Sequence, residues 1–385
     1  MRKVLICARP SLFVLQIVPM VAIPKERSAL LQTVGDRPVG SEVSVFASIS
    51  VRRRLANALV FVLGLGLLAA APRVSASGAL SLPECPEIMA TDQITKGMTG
   101  TGYTVSKGTE PERFSVEVLG VLPDGVAPGH DMIVVEASSP AIDEAGIWEG
   151  MSGPPVYVDG KLIGAVAYGF TQWGPSPIAG LTPASDLEKV LNYPESWPAS
   201  SSMLKSLSKR VELPEALADR VADAAGVTTT QVDSGLSLLP VPLAVSASRP
   251  GALSKVRRHF ARQGVPVHPY TAASTNVPST SEVDPSQAVP GGNFAAVLLY
   301  GDCTVAAVGT TSLVCNGRAV AFGHPFLQGG SVEMGASAAD ALTIVTEAGG
   351  TSFKLANVTS PVGVVDQDRT SVFGLCSAIR RLLCQ

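Results

Sequence analysis

The chain has 385 residues, long enough for two or three domains. Its formal net charge of −3 gives no long-range field to draw nucleic acid. Aromatic residues are 5% and charged residues 16%, beside 37 glycines and 29 prolines, which argues against a helical bundle and for short strands broken by frequent turns.

Residues 1–50 have the pattern of neither a domain nor a linker and read as a misassigned N-terminal extension, with translation beginning near Val51. Arg52, Arg53 and Arg54 then precede an apolar run at 55–71 and the small residues V-S-A ending at Ala76. This is the layout of a cleaved secretory signal over 51–76. An uncleaved membrane anchor is the other reading, and contact with a membrane is expected only in that case; the run is short for a spanning helix. Export predicts a periplasmic or extracellular location.

From residue 82 to 191 the pattern is β. "GMTGTGYTVSKGTEPERFSVEVLGVL" reads as strand, turn, strand, and "DMIVVEA" as another strand. "PPVYVDGKLIGAVAYGF" reads as a hairpin with strands at 156–158 and 162–168 about an Asp159-Gly160 turn. "TPASDLEKVLNY" predicts a short helix capped near Thr182 or Ser185. Residues 192–290 read as a linker and helical insertion. Within it, "PEALADRVADAAG" and the basic "PGALSKVRRHFARQG" are helical pieces between Ser/Pro/Thr-rich stretches. Strands resume over 291–375, with an Asn316-Gly317 hairpin turn. Residues 376–385 read as an irregular end.

The six cysteines (Cys7, Cys85, Cys303, Cys315, Cys376, Cys384) match no zinc pattern. Cys303 and Cys315 fit either a disulfide in an oxidising compartment or two buried thiols. There is no phosphate loop, dinucleotide fingerprint or metal-ligand cluster, so no cofactor or metal is expected.

The chemistry concentrates on "EGMSGPP". Gly150 lets the backbone turn so that its N–H and that of Ser152 face one oxygen, the arrangement that stabilises an acyl-transfer oxyanion. A serine nucleophile there needs a base. His259 lies in the basic stretch and His268 in a linker, both read as solvated, and His130 reads as a turn cap. His324, in "AVAFGHPF", stands at the mouth of an apolar strand, where barrel sites sit. Asp143 and Asp366 are the candidate orienting acids, although Asp366 in "DQDR" also suits a surface ion pair. Trp148 and Trp173 read as packing beside the hairpin.

"AGIWEGMSGPPVYVDGKLIGAVAYGF" resembles the nucleophile region of the SpoIVB-type peptidases, serine peptidase family 55. There a G-M-S-G-S-P segment leads into D/N-G-K-x-I-G-A-V. The resemblance covers residues 97–186 and, less densely, 307–326, where Ala321, Phe322, Gly323 and His324 match the A-L-G-H segment of the family's base. It implies a mainly β, chymotrypsin-like double β-barrel, Ser152 as nucleophile, His324 as base and a peptide or protein substrate. The chain departs from the family in three ways. Ser152 precedes His324, which suits a permuted arrangement, since geometry and not order defines such sites. Ser139 stands where the family has its aspartate, and Pro154 replaces a serine. A serine endopeptidase and a catalytically inactive envelope barrel that binds a peptide are both open. A Ser152–His324 separation beyond about 8 Å, against the ~3 Å catalysis requires, decides for binding.

Overall fold

The structure, a computed structural model, describes residues 85–171, 174–193, 210–246, 250–273, 283–301, 303–346 and 351–369, and the backbone of 372–376. The N-terminal extension, the signal at 51–76, Trp173, Cys7, Cys384 and residues 377–385 lie outside the described residues.

The first barrel is built from β1 (Thr99–Thr104), β2 (Glu112–Ala127), β3 (His130–Ser138), β4 (Pro155–Val158), β5 (Lys161–Gly169) and β6 (Ile178–Pro183). The short helix α1 (Pro140–Ala145) follows β3. Antiparallel pairing runs β4-β1-β2-β3-β6-β5 and returns to β4, so these six strands close into a barrel, while the far end of β5 goes on to pair with a further short strand. Alternation explains the inward face: in β2, Phe114, Val116 and Val118 are buried and alternate with the exposed Ser115 and Glu117. Asp159 (φ 48°) and Gly160 (φ 76°) both adopt the left-handed conformation that a two-residue hairpin turn requires.

Helix α2 (Ala184–Leu191) carries Pro183 at its N-cap and has no side-chain cap. Neither Thr182 nor Ser185 fills that place; Thr182 instead donates to Gly323 O at 2.7 Å.

The stretch expected as linker and insertion is more structured than its composition implies. It holds β7 (Arg210–Val211), α3 (Glu215–Ala225), α4 (Thr229–Val232), β8 (Leu236–Leu238), β9 (Val241–Val245), α5 (Ala252–Arg262) and β10 (Val267–Thr271). Helix α3 turns Leu217, Ala218, Val221 and Ala222 onto the outside of the first barrel, the one-face spacing of an amphipathic helix. Helix α5 packs Leu253, Val256 and Phe260 on the second barrel's cluster.

The second barrel uses β11 (Asn293–Leu299), β12 (Val305–Cys315), β13 (Arg318–Ala321), β14 (Gly330–Val345), β15 (Phe353–Arg369) and β16 (Val372–Cys376). Pairing runs β12-β11-β14-β15-β16-β13 and back to β12, with β9 and β10 extending the sheet from β12. Phe294, Phe322, Leu243, Ala307 and Val362 form part of its core. The protein is therefore a mainly β double barrel with helical elements between and around the barrels.

A disulfide joins Cys85 to Cys315, while Cys303 is free and exposed. The Cys303–Cys315 pairing fails for a geometric reason. Strand β12 lies between the two, and at ~3.3 Å per residue it holds its ends roughly 30 Å apart.

Candidate active site

The turn that carries Ser152 is pinned from both sides. Trp148 and Met151 are fully buried in the first barrel's core, and Met151 N–H donates to Trp148 O at 3.1 Å. Gly153 N–H donates to Val166 O of β5 at 2.7 Å, and Ser152 O accepts from Thr310 N–H of β12 at 2.8 Å. Glu149 is strapped to the start of β15 by Glu149 N–H to Ser352 O (2.8 Å) and Lys354 N–H to Glu149 O (2.9 Å). Gly150 has φ 81° and Gly153 φ 114°, conformations that L side chains rarely adopt. Among the described residues the N–H groups of Gly150 and Ser152 take no partner, while those of Met151 and Gly153 on alternate positions are used. That leaves the turn with two free donors on either side of Met151.

His324 is presented by an equally constrained turn. Phe322 (φ 68°) and Gly323 (φ 65°) precede it in the left-handed region, a costly conformation for a bulky side chain. Phe322 N–H bonded to Thr310 O at 3.0 Å and Thr182 Oγ bonded to Gly323 O hold it there. Thr310 thus ties both turns, its N–H to Ser152 and its carbonyl to Phe322.

The two side chains meet: His324 Nε2 lies 2.9 Å from Ser152 Oγ, and His324 Nδ1 lies 2.8 Å from Pro325 O. A carbonyl only accepts, so Nδ1 carries the proton. In the neutral ring Nε2 is then the acceptor for the Ser152 hydroxyl. Ser152 and His324 are buried. Burial lowers the imidazole pKa to about 4, opposed by the bond to Pro325, which leaves the ring neutral at pH 7. A cleft of ≈ 700 Å³ opens beside the imidazole, lined among others by His324, Phe326, Leu239, Pro240, Val241 and Arg257.

Neither candidate acid reaches the imidazole. Asp143 lies exposed on α1 and accepts from Ser138 Oγ at 3.1 Å. Asp366 pairs with Arg318 at 3.0 Å. Both are turned to solvent-side partners by the elements that carry them, and the orienting-acid reading is corrected accordingly. Ser139, at the position of the family's aspartate, caps α1 by accepting from Ile142 N–H. Pro154 costs the turn no donor: its carbonyl accepts from Val166 N–H at 3.1 Å, and the free N–H groups precede it.

Two other histidines differ from their sequence reading. His268 is not in a linker: it stands on β10, 3.0 Å from Glu149 Oε2, stacked on Phe353 at 4.2 Å. Glu149 Oε1 accepts from Thr351 Oγ at 2.7 Å, so a buried carboxylate next to Gly150 is held from two sides. His130 contacts Asp186, itself bonded to Lys189, at 2.8 Å. Finding these pairs from sequence would need the partner, and none is a neighbour along the chain.

The two β-barrels bring a serine and a neutral histidine into hydrogen-bond contact at their junction, and such pairs are recognised by geometry rather than by order along the chain. Residues 76–176 match the model of the family described as SpoIVB peptidase S55, so the segment that carries Gly150 and Ser152 is similar to a SpoIVB-type serine peptidase. Neither the curated proteins nor the solved structures gave a match.

Proposed function

We propose that the chain is an exported serine endopeptidase of the SpoIVB type. The observation that carries this reading is the 2.9 Å contact between His324 Nε2 and Ser152 Oγ, with Nδ1 held in the protonated tautomer. It lies far inside the limit that would favour a binding-only barrel. Ser152 Oγ attacks the scissile carbonyl carbon while Nε2 takes the hydroxyl proton. The N–H groups of Gly150 and Ser152 receive the oxyanion; each such donor is typically worth a few kcal/mol. The imidazolium then returns the proton to the leaving amine, the C–N bond breaks, and water releases the acyl group by the same route in reverse.

Export is supported by the basic, apolar and small-residue order over 51–76 and by the Cys85–Cys315 disulfide, a bond that persists in oxidising compartments. The substrate is a peptide or protein chain. The test is a fluorophosphonate probe on the full chain: wild type should be labelled, and Ser152→Ala and His324→Ala should not. Unlabelled wild type that is folded and disulfide-bonded overturns the reading.

A further inference from the structure

Among the described residues no carboxylate touches His324, yet one lies a single peptide group away. Asp368 near the end of β15 is fully buried. Its Oδ1 accepts from Phe326 N–H at 3.0 Å, and its Oδ2 accepts from Leu327 N–H at 2.8 Å and Gly329 N–H at 3.2 Å. Phe326 N–H and Pro325 C=O belong to the same peptide unit. The contacts therefore form one chain: Asp368 carboxylate, Phe326 N–H, Pro325 C=O, His324 Nδ1–H, His324 Nε2, Ser152 O–H.

We propose that Asp368 is the orienting acid of this site, acting on His324 through the Pro325–Phe326 peptide group. The proposal rests on the serine peptidase reading and supplies the member that reading lacks. Two physical effects favour it. The carboxylate fixes the turn that follows His324 by three N–H groups, which sets the position of the Pro325 carbonyl and with it the ring. A charge-assisted bond to the peptide N–H also polarises the carbonyl at its other end, and chained hydrogen bonds strengthen one another in a low-dielectric interior. The carbonyl is thus a better partner for the Nδ1 proton, and more so once the ring becomes an imidazolium. Asp368 touches no substrate atom; it is a positioning residue.

Protonating Asp368 weakens the chain at its end. Burial raises its pKa to about 6, opposed by the N–H bonds from Phe326, Gly329 and Leu327. Among the described residues, these charged groups stand on the elements around it. Arg369, on the same strand, is attracted by Asp368, and its guanidinium lies over Tyr193. Arg318 of β13 is held by Asp366. Arg257 of α5 lines the cleft shared by Phe326, Leu327 and Gln328. His324 is at the other end of the chain itself.

The experiment measures the second-order rate of Ser152 labelling by the fluorophosphonate across the acid range, in wild type and in Asp368→Asn. Wild type should lose rate in two steps, a partial one near pH 6 and a complete one near pH 4. Asp368→Asn should be slower at pH 7 by roughly ten- to a hundredfold, short of the ~10⁴ that follows loss of a directly bonded acid, and should show only the lower step. A variant that is merely destabilised loses thermal stability and keeps both steps. Equal rates and profiles in the two proteins overturn the proposal and leave the peptidase reading standing; unlabelled wild type overturns that reading first. Proton NMR of wild type gives an independent measurement should the variant not fold. The His324 Nδ1–H resonance should shift as Asp368 titrates, and a resonance that stays fixed through that range overturns the relay.

Discussion

The imidazole of His324 answers to two demands, proton acceptance and burial, and their signs agree. Burial lowers its pKa from 6.5 to about 4, against the opposing effect of the Pro325 carbonyl. A base works only when neutral, so the shift keeps His324 competent where an exposed histidine is already half charged. For cleavage of a peptide substrate, kcat/KM should therefore fall only partly near pH 6, where Asp368 takes its proton, and disappear around pH 4. A complete loss centred near 6.5 would show that the ring is solvated. Stability follows from the same numbers. Between about pH 4 and 6.5 the unfolded chain binds the His324 proton and the folded one does not. The contribution of the neutral ring is thus complete above 6.5 and is lost as pH falls to 4. The Asp368 carboxyl runs the other way. Its folded pKa of about 6 lies above the usual 3.8, so folding is favoured by its proton below 3.8 and that advantage is lost as pH rises through 6. The two groups offset each other over much of that interval.

At the scale of the element, the turns decide the site. Gly153 combines φ 114° with a site where an added Cβ would stand 2.0 Å from Thr310 O and 2.9 Å from Phe322 N. Both are backbone atoms of the second barrel and cannot swing aside. Gly153→Ala should therefore force the Ser152 turn away from Thr310 and cost more than the ~1 kcal/mol of a left-handed alanine alone. Gly160→Ala is the control: its φ is 76° but nothing lies within 4 Å of the new Cβ, so only that conformational cost remains. Urea denaturation of the two variants should separate them clearly, and only Gly153→Ala should lose Ser152 labelling. Equal losses would show that the close approach to Thr310 carries no weight. Turns of this kind were legible because their chemistry is local. Asp159-Gly160 and Asn316-Gly317 announce hairpins, and the G-M-S-G run announces a strained turn. The strands β7, β8 and β10 were not legible. They are short, lack alternation, and exist because neighbouring strands offer edges to pair with.

Over the whole molecule, the long-range partners were what sequence left hidden. Ser152 and His324 were singled out by the turn of the one and the strand-mouth position of the other, and the family resemblance paired them; the Cys85–Cys315 and Glu149–His268 contacts were not reached at all. The run "DQDR" suited both an orienting acid and a surface ion pair, and its letters pointed to Asp366 rather than to Asp368, whose partners are backbone N–H groups that no residue letter encodes. Lys354 belongs with these. It is fully buried, and Nζ donates to Asn293 Oδ1 at 2.8 Å. The same Asn293 amide donates to Gly108 O (3.0 Å) in the loop after β1 and to Ala339 O (3.1 Å) on β14. One amide thus joins the two barrels and receives a lysine from within. Burial lowers the Lys354 pKa from 10.5 to about 7, opposed by the charge of Glu112. Below pH 7 both folded and unfolded chains hold the proton, and the full desolvation cost stands. Between 7 and 10.5 only the unfolded chain holds it, so the contribution of Lys354 to stability rises with pH across that window and is lost as pH falls back to 7. Replacing it with methionine, of similar length and without charge, removes this dependence. Urea unfolding of wild type and Lys354→Met at pH 7 and pH 10 should show wild type gaining a few kcal/mol relative to the variant at the higher pH. Titrations common to both proteins, such as those of the buried tyrosines, cancel in that difference. Parallel curves at the two pH values would mean that Lys354 keeps its proton in the folded chain, and that the junction of the barrels holds a charge the Asn293 amide alone is able to satisfy.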